Sequence, residues 1–207
     1  MSIVKLNNKA VSNATAFGSI SSLGSMTFIK KLTASASATL SFVDGTSDVV
    51  LDNTYKEYLF TFKDIHAETD STHFSFQANV AGGSGYNETI TSTMFRSQHG
   101  EDDGSAQLDY DDNGYDLAQA TGFQKLNQNL GNGADESLAG YLHLFNPSST
   151  TFVKHFISRT SAYQPSDRAL DTYVAGYFNT TSAIDEIQFK MASGNIDAGD
   201  ICLYGIA

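Results

Sequence analysis

The sequence has no tryptophan, one cysteine, two prolines and few cations, with 12 Lys plus Arg against 23 Asp plus Glu in 207 residues. Each shortage excludes something. A single thiol, Cys202, forbids an internal disulfide and any CxxC metal or redox pair. Its neighbours Ile201, Leu203 and Tyr204 read as strand, which predicts an inert buried thiol. A net charge of −11 leaves no footprint for binding a phosphate backbone, so no nucleic-acid partner is expected. Apolar runs extend only a few residues and residues 1–10 lack an apolar h-region, so neither membrane insertion nor export by a secretory signal is expected.

Charge of either sign is also sparse. Asp, Glu, Lys and Arg make up 17% of residues, against about 25% in ordinary soluble domains. Ser, Thr, Asn and Gly take their place, as in a turn-rich β protein with a neutral polar surface.

Helical periodicity is almost absent, because apolar residues recur at every second position. Ala38, Leu40 and Phe42 alternate with polar neighbours until Asp44-Gly45 marks a turn. Tyr58, Phe60 and Phe62 share one face of a half-buried strand, and Phe74, Phe76, Ala78 and Val80 repeat the pattern before Gly82-Gly83-Ser84-Gly85. Residues 87–95 are polar and β-branched enough for a strand near an edge. Alternation resumes at residues 138–144, 152–157, 172–178, 187–191 and 201–206. The expectation is an all-β, antiparallel β-sandwich of jelly-roll type with about nine or ten strands. Residues 26–207 form this domain, while residues 1–25 are either its first strand and a loop or an arm that docks on another subunit.

Residues 100–133 interrupt the rhythm. They are acidic, rich in glycine and amides, and hold only a weak strand near residues 107–110, which predicts one long excursion over the surface. Glu101, Asp102, Asp103, Asp109, Asp111, Asp112 and Asp116 place seven of the 23 acidic residues there.

Motifs for chemistry are few. The five histidines show no metal spacing, and neither a G-x-S-x-G elbow nor a phosphate-binding glycine loop occurs. Glu57, Glu88, Glu136 and Glu186 are scattered, without the paired carboxylates of a glycosidase. No enzyme activity and no cofactor are expected. Asp109, Asp111 and Asn113, followed by Gly114, match the first half of a calcium loop, with Asp116 as a further oxygen ligand. Position twelve is Ala120 instead of a bidentate Glu, so a plain acidic turn competes with calcium. Tyr110 and Tyr115 in the excursion, with Tyr86 and Tyr163 in other turns, supply aromatic faces on which sugar rings stack beside hydrogen-bonding Asp, Asn and Gln. Tyrosines that merely pack their loops onto the sandwich are the other reading.

The opening Met1-Ser2-Ile3-Val4-Lys5-Leu6-Asn7-Asn8 resembles the start of small virion and tail-fibre proteins of marine tailed phages, including those of cyanobacteria. The closing Ile184-Asp185-Glu186-Ile187-Gln188-Phe189 and Ser193-Gly194-Asn195-Ile196-Asp197-Ala198-Gly199-Asp200-Ile201-Cys202-Leu203-Tyr204-Gly205-Ile206 is similar to the end of β-sandwich domains in phage fibres. There Gly194 and Gly199 suit turns, and Leu203 and Tyr204 take opposite faces of the last strand. The resemblance implies a virion surface protein, assembled in the host cytoplasm, that serves as a tail-fibre or receptor-binding subunit contacting host glycans. It also implies a homo-oligomer, with a trimer favoured, and contacts with other virion proteins near the N-terminus. A capsid decoration protein is the alternative, and a small glycan hydrolase a remote one.

Overall fold

The computed structural model describes residues 26–110 and 114–207. The proposed attachment segment 1–25 lies outside the described residues, as do Asp111, Asp112 and Asn113.

No helix occurs among the described residues. Twelve strands follow one another: β1 (Met26–Ser37), β2 (Leu40–Val43), β3 (Glu57–Ala67), β4 (Phe74–Val80), β5 (Ile90–Gly100), β6 (Ala106–Tyr110), β7 (Gln124–Lys125), β8 (Leu138–Phe145), β9 (Lys154–Gln164), β10 (Arg168–Phe178), β11 (Ile184–Met191) and β12 (Ile196–Ile206). They form two antiparallel sheets, ordered β1-β12-β3-β8-β9-β10-β5-β6 and β2-β11-β4-β7.

The sandwich is a jelly roll with two insertions. Taken without β5, β6, β9 and β10, the chain gives sheets β1-β12-β3-β8 and β2-β11-β4-β7, the two interleaved four-stranded sheets of that topology. The hairpins β5–β6 and β9–β10 enter between β4 and β7 and between β8 and β11. Both attach beyond β8, so four inserted strands prolong one sheet on one side only.

Period-two sequence builds the core. Tyr58, Phe60 and Phe62 are buried on β3 and face Phe42, Phe74, Phe76 and Phe189 from the other sheet. Phe189 is the hub, with ring centroids 5.4 Å from Phe60, 5.4 Å from Phe62 and 5.6 Å from Phe74. Edge-to-face and stacked pairs of this kind add to the burial of their area.

Two details depart from the sequence expectation. The excursion at residues 100–133 holds β7 as well as β6, the strand expected near residues 107–110, and both are paired into sheets, so the described residues form twelve strands instead of nine or ten. Gly199 lies inside β12 instead of in a turn. It has φ +118°, and a Cβ there would meet the Asp64 carbonyl at 2.6 Å. That is where the β12–β3 register shifts and where Lys63 and Asp64 are both exposed, so glycine is needed at a bulge. Gly194 does occupy the turn before β12, at φ +70°.

The excursion is held by side-chain amides. Gln77 Nε2 donates to the carbonyls of Glu88, Thr121 and Gly122 at 3.0, 3.2 and 2.9 Å. Gln124 accepts from Ser92 Oγ at 2.5 Å and donates to the Tyr115 carbonyl at 2.8 Å. Asn127 accepts from the Phe74 amide at 2.6 Å. Buried backbone polar groups that no ladder serves are satisfied this way.

Candidate functional site

The outer face of β8, β9, β10, β5 and β6 carries the candidate site. Strand alternation turns Lys154, Phe156, Ser158, Thr160, Ala162 and Gln164 of β9 inward and leaves His155, Ile157, Arg159, Ser161 and Tyr163 outside. The register then aligns the outward residues of neighbouring strands into rows. Tyr141 pairs with Arg159, Arg159 with Tyr173, Tyr173 with Phe95 and Phe95 with Tyr110. Five strands about 4.8 Å apart make this ridge about 19 Å long.

The ridge is stiff. The Phe95 and Tyr173 rings stack at 4.8 Å with 4° between planes, and the Arg159 guanidinium lies 4.8 Å from the Tyr173 ring centre. Arg159 also grips Asp171 with two parallel bonds, Nε to Oδ1 at 3.0 Å and NH2 to Oδ2 at 2.8 Å. A bidentate guanidinium–carboxylate pair fixes orientation as well as charge. Tyr173 is thus covered on both sides, while Tyr141, Phe95 and Tyr110 present open surface at 38%, 42% and 56% exposure.

Beside the ridge runs a row of smaller side chains. Ala139 pairs with Ser161, Ser161 with Asp171, Asp171 with Ser97 and Ser97 with Leu108. Beyond it, Tyr163 of β9 and His99 of β5 rise from the next row, both aligned with Ala169 of β10. The outcome is a furrow across the strands, with a small polar floor and aromatic walls. Its two hollows measure about 390 and 480 Å³; the first is bounded by Tyr141, Arg159 and Asp171, the second by Tyr163, His99 and Glu101. On the other side of the ridge, a mostly apolar hollow of about 510 Å³ lies between His155, Ile157, Tyr177 and Thr91.

Electrostatics fix the protonation of these groups. The two bonds from Arg159 hold the Asp171 carboxyl below the usual carboxylate range, and the same pairing raises the guanidinium. Loss of hydration, with the nearby Glu101 carboxylate, pushes the Tyr163 phenol up to about 12. Desolvation and the Asp171 carboxylate push Tyr173 up as well. At neutral pH the furrow therefore offers a fixed carboxylate, a fixed guanidinium and protonated phenols.

Of the four tyrosines singled out in the sequence, Tyr163 lies in β9 instead of a turn and walls the furrow, while the other three are not gathered together. Tyr110 ends the ridge and donates its hydroxyl to Asp116 at 2.8 Å. Tyr115 packs half-buried against the core, edge-on to His73, with Lys125 over its ring. Tyr86 donates to Glu186 at 2.7 Å, on the four-stranded sheet. Of the proposed calcium ligands, Asp109 lies 3.4 Å from Arg96 and Asp116 accepts from Tyr110, while Asp111 and Asn113 are outside the described residues. No group of three or more metal-ligating side chains occurs among the described residues.

Sequence reasoning missed Tyr141, Phe95, Tyr173 and the Arg159–Asp171 pair. The outward residues of β8 were legible from period two, but β9 runs to Gln164, past the strand expected at residues 152–157, and the row depends on registers between strands far apart in sequence. Cys202 is free and half-buried instead of fully buried, because it alternates with the inward Ile201 and Leu203.

A fourth hollow, of about 690 Å³, holds Asp64, Asp135, Glu136 and Asp197. Three of these carboxylates have partners, Asp64 lying 3.6 Å from Lys63. Glu136 accepts from the Gly133 amide, and Asp197 lies 3.4 Å from His66. Comparison of the chain with protein-family models, curated proteins and solved structures finds no match.

Proposed function

We propose that this chain is a glycan-binding β-sandwich of a phage virion surface, acting as a tail-fibre or receptor-binding subunit. The observation that carries the glycan reading is the furrow, in which aromatic walls, hydroxyls and one fixed ion pair meet on an open sheet face. Apolar ring surface covers the flat faces of sugars, and a few oriented polar groups receive their hydroxyls. A chain-like ligand suits a furrow whose two hollows follow one another across β8, β9 and β10. The virion setting rests on the resemblance of the two ends of the sequence to phage fibre proteins. In this reading the chain binds and does not catalyse, and a trimer multiplies a weak single site through avidity.

The test is binding of the purified protein to host cells and to their isolated envelope polysaccharide, alongside a Tyr141→Ala/Phe95→Ala variant. Retention of wild type with loss in the variant supports the reading. No binding by wild type at micromolar concentration overturns it. Labelling of the head instead of the tail in a virion map assigns the chain to capsid decoration.

A further inference from the structure

We infer that the furrow selects uncharged polysaccharide and rejects acidic polysaccharide, and that Asp171 sets this selectivity. The inference rests on the glycan reading above and narrows it to a chemical class. Among the described residues that line the two furrow hollows there is one guanidinium, Arg159, and there are three carboxylates, Asp171, Glu101 and Asp135. The one cation is already spent. Its Nε and one terminal nitrogen are committed to Asp171, and its flat face lies against Tyr173. A uronate or sulfate group entering the furrow meets uncompensated negative charge within a Debye length, of about 8 Å at physiological salt. A neutral sugar meets something different. Asp171, Ser161 and Ser97 lie in the floor row, so hydroxyls find a carboxylate acceptor and two hydroxyl partners without breaking the Arg159–Asp171 pair.

The same geometry states what removes the selectivity. Asp171→Asn keeps the size of the floor residue and takes away the charge that occupies Arg159. The fork is then free to receive a carboxylate or sulfate bidentately, the geometry for which guanidinium is suited. Arg159 remains beside Tyr173, which stacks on Phe95, so the walls of the furrow stay in place.

Affinity electrophoresis tests this in gels containing neutral polymers (laminarin, galactomannan, hydroxyethyl cellulose) or acidic ones (alginate, polygalacturonate, dextran sulfate), at low and at physiological salt. The expected result is that wild type is retarded by at least one neutral polymer and at least about tenfold less by every acidic one. Asp171→Asn gains retardation by an acidic polymer, which falls with salt, and the Asp171→Asn/Arg159→Gln double variant loses that gain. Circular dichroism of each variant verifies that the fold is retained. Wild-type binding to acidic polymers as strong as to neutral ones overturns the inference and leaves glycan binding intact. The inference also fails if folded Asp171→Asn gains no acidic ligand. Failure of wild type to bind any of the six polymers overturns both the inference and the reading beneath it.

Discussion

The jelly-roll strands away from the insertions and the side where the four inserted strands pack against β4 and β7, with its buried Ser75, Gln77, Asn79 and Gln124, are held by different balances of apolar and polar packing. Where β1, β2, β3, β8, β11 and β12 meet, the interior is aromatic and aliphatic, and none of the buried polar side chains among the described residues lies on those six strands. On the inserted side, Lys154, Ser158, Thr160 and Gln164 of β9, Thr172 of β10 and Gln98 of β5 are buried, facing a layer that contains Gln124 and Asn127. Thr160 Oγ1 donates to the Leu126 carbonyl at 2.5 Å, and Lys154 Nζ donates to the Phe152 and Thr180 carbonyls at 2.9 and 3.2 Å. Apolar packing is non-directional and makes the sandwich. Polar packing is directional and fixes an irregular covering segment, at the risk that each lost partner leaves another group unsatisfied.

The largest effect is expected at Phe189. Phe189→Ala empties the hub of the aromatic cluster and is expected to cost about 3–5 kcal/mol. Urea unfolding followed by circular dichroism should show a lower midpoint for the whole domain, with β3 and β12 lost together with β9 and β10. A variant that loses only the inserted half would show that the two halves do not unfold as one.

Acid should separate the two regions. His73 precedes β4 and accepts from the Asn129 amide through Nδ1 at 3.3 Å, with Tyr115 against its ring. Burial, with Lys125 nearby, pulls its pKa down from 6.5 to about 4. The native state therefore keeps the imidazole neutral while the unfolded chain takes up a proton near pH 6.5. Stability is full above pH 6.5 and falls as pH drops toward 4, by up to about 3 kcal/mol from this group. His73→Gln should flatten that part of the stability–pH curve, and an unchanged slope would place the acid sensitivity elsewhere.

A smaller effect is expected from the amides that pin the excursion. Gln124→Leu leaves Ser92 Oγ and the Tyr115 carbonyl without their partner, at a cost of about 1–3 kcal/mol. Hydrogen exchange should quicken at Leu117, whose amide donates to Ser92 Oγ at 2.8 Å. Amides of β3 and β12 should keep their protection.

How much of this was legible in sequence follows the same division. Tyr58, Phe60 and Phe62, or Phe74, Phe76 and Ala78, announce a strand and its inward face, because apolar side chains at period two have one way to be buried. Gln77 and Gln124 announce nothing, since an amide in a strand looks exposed until the loop carbonyls it serves are known. The candidate site was visible in pieces. Tyr110 stood out as an aromatic in a polar segment, yet Tyr141, 31 positions later, joins its ridge only through four successive registers. Non-local pairing hides the furrow, because no local pattern encodes which strands become neighbours.

The smallest expected change in stability is at the ridge. Tyr141 is 38% exposed on the outer face and lies across from Arg159. Exposed positions without a special backbone or network role usually shift stability by within about 0.5 kcal/mol. Tyr141→Ala should therefore leave the urea midpoint close to that of wild type. Retardation by a neutral polysaccharide that binds wild type should nevertheless drop about tenfold, since one wall of the furrow is removed and a stacked aromatic contributes about 0.5–1.5 kcal/mol beyond its buried area. A variant that unfolds more readily but still binds would assign Tyr141 to the scaffold, and the outer face would then be as structural as the inner one.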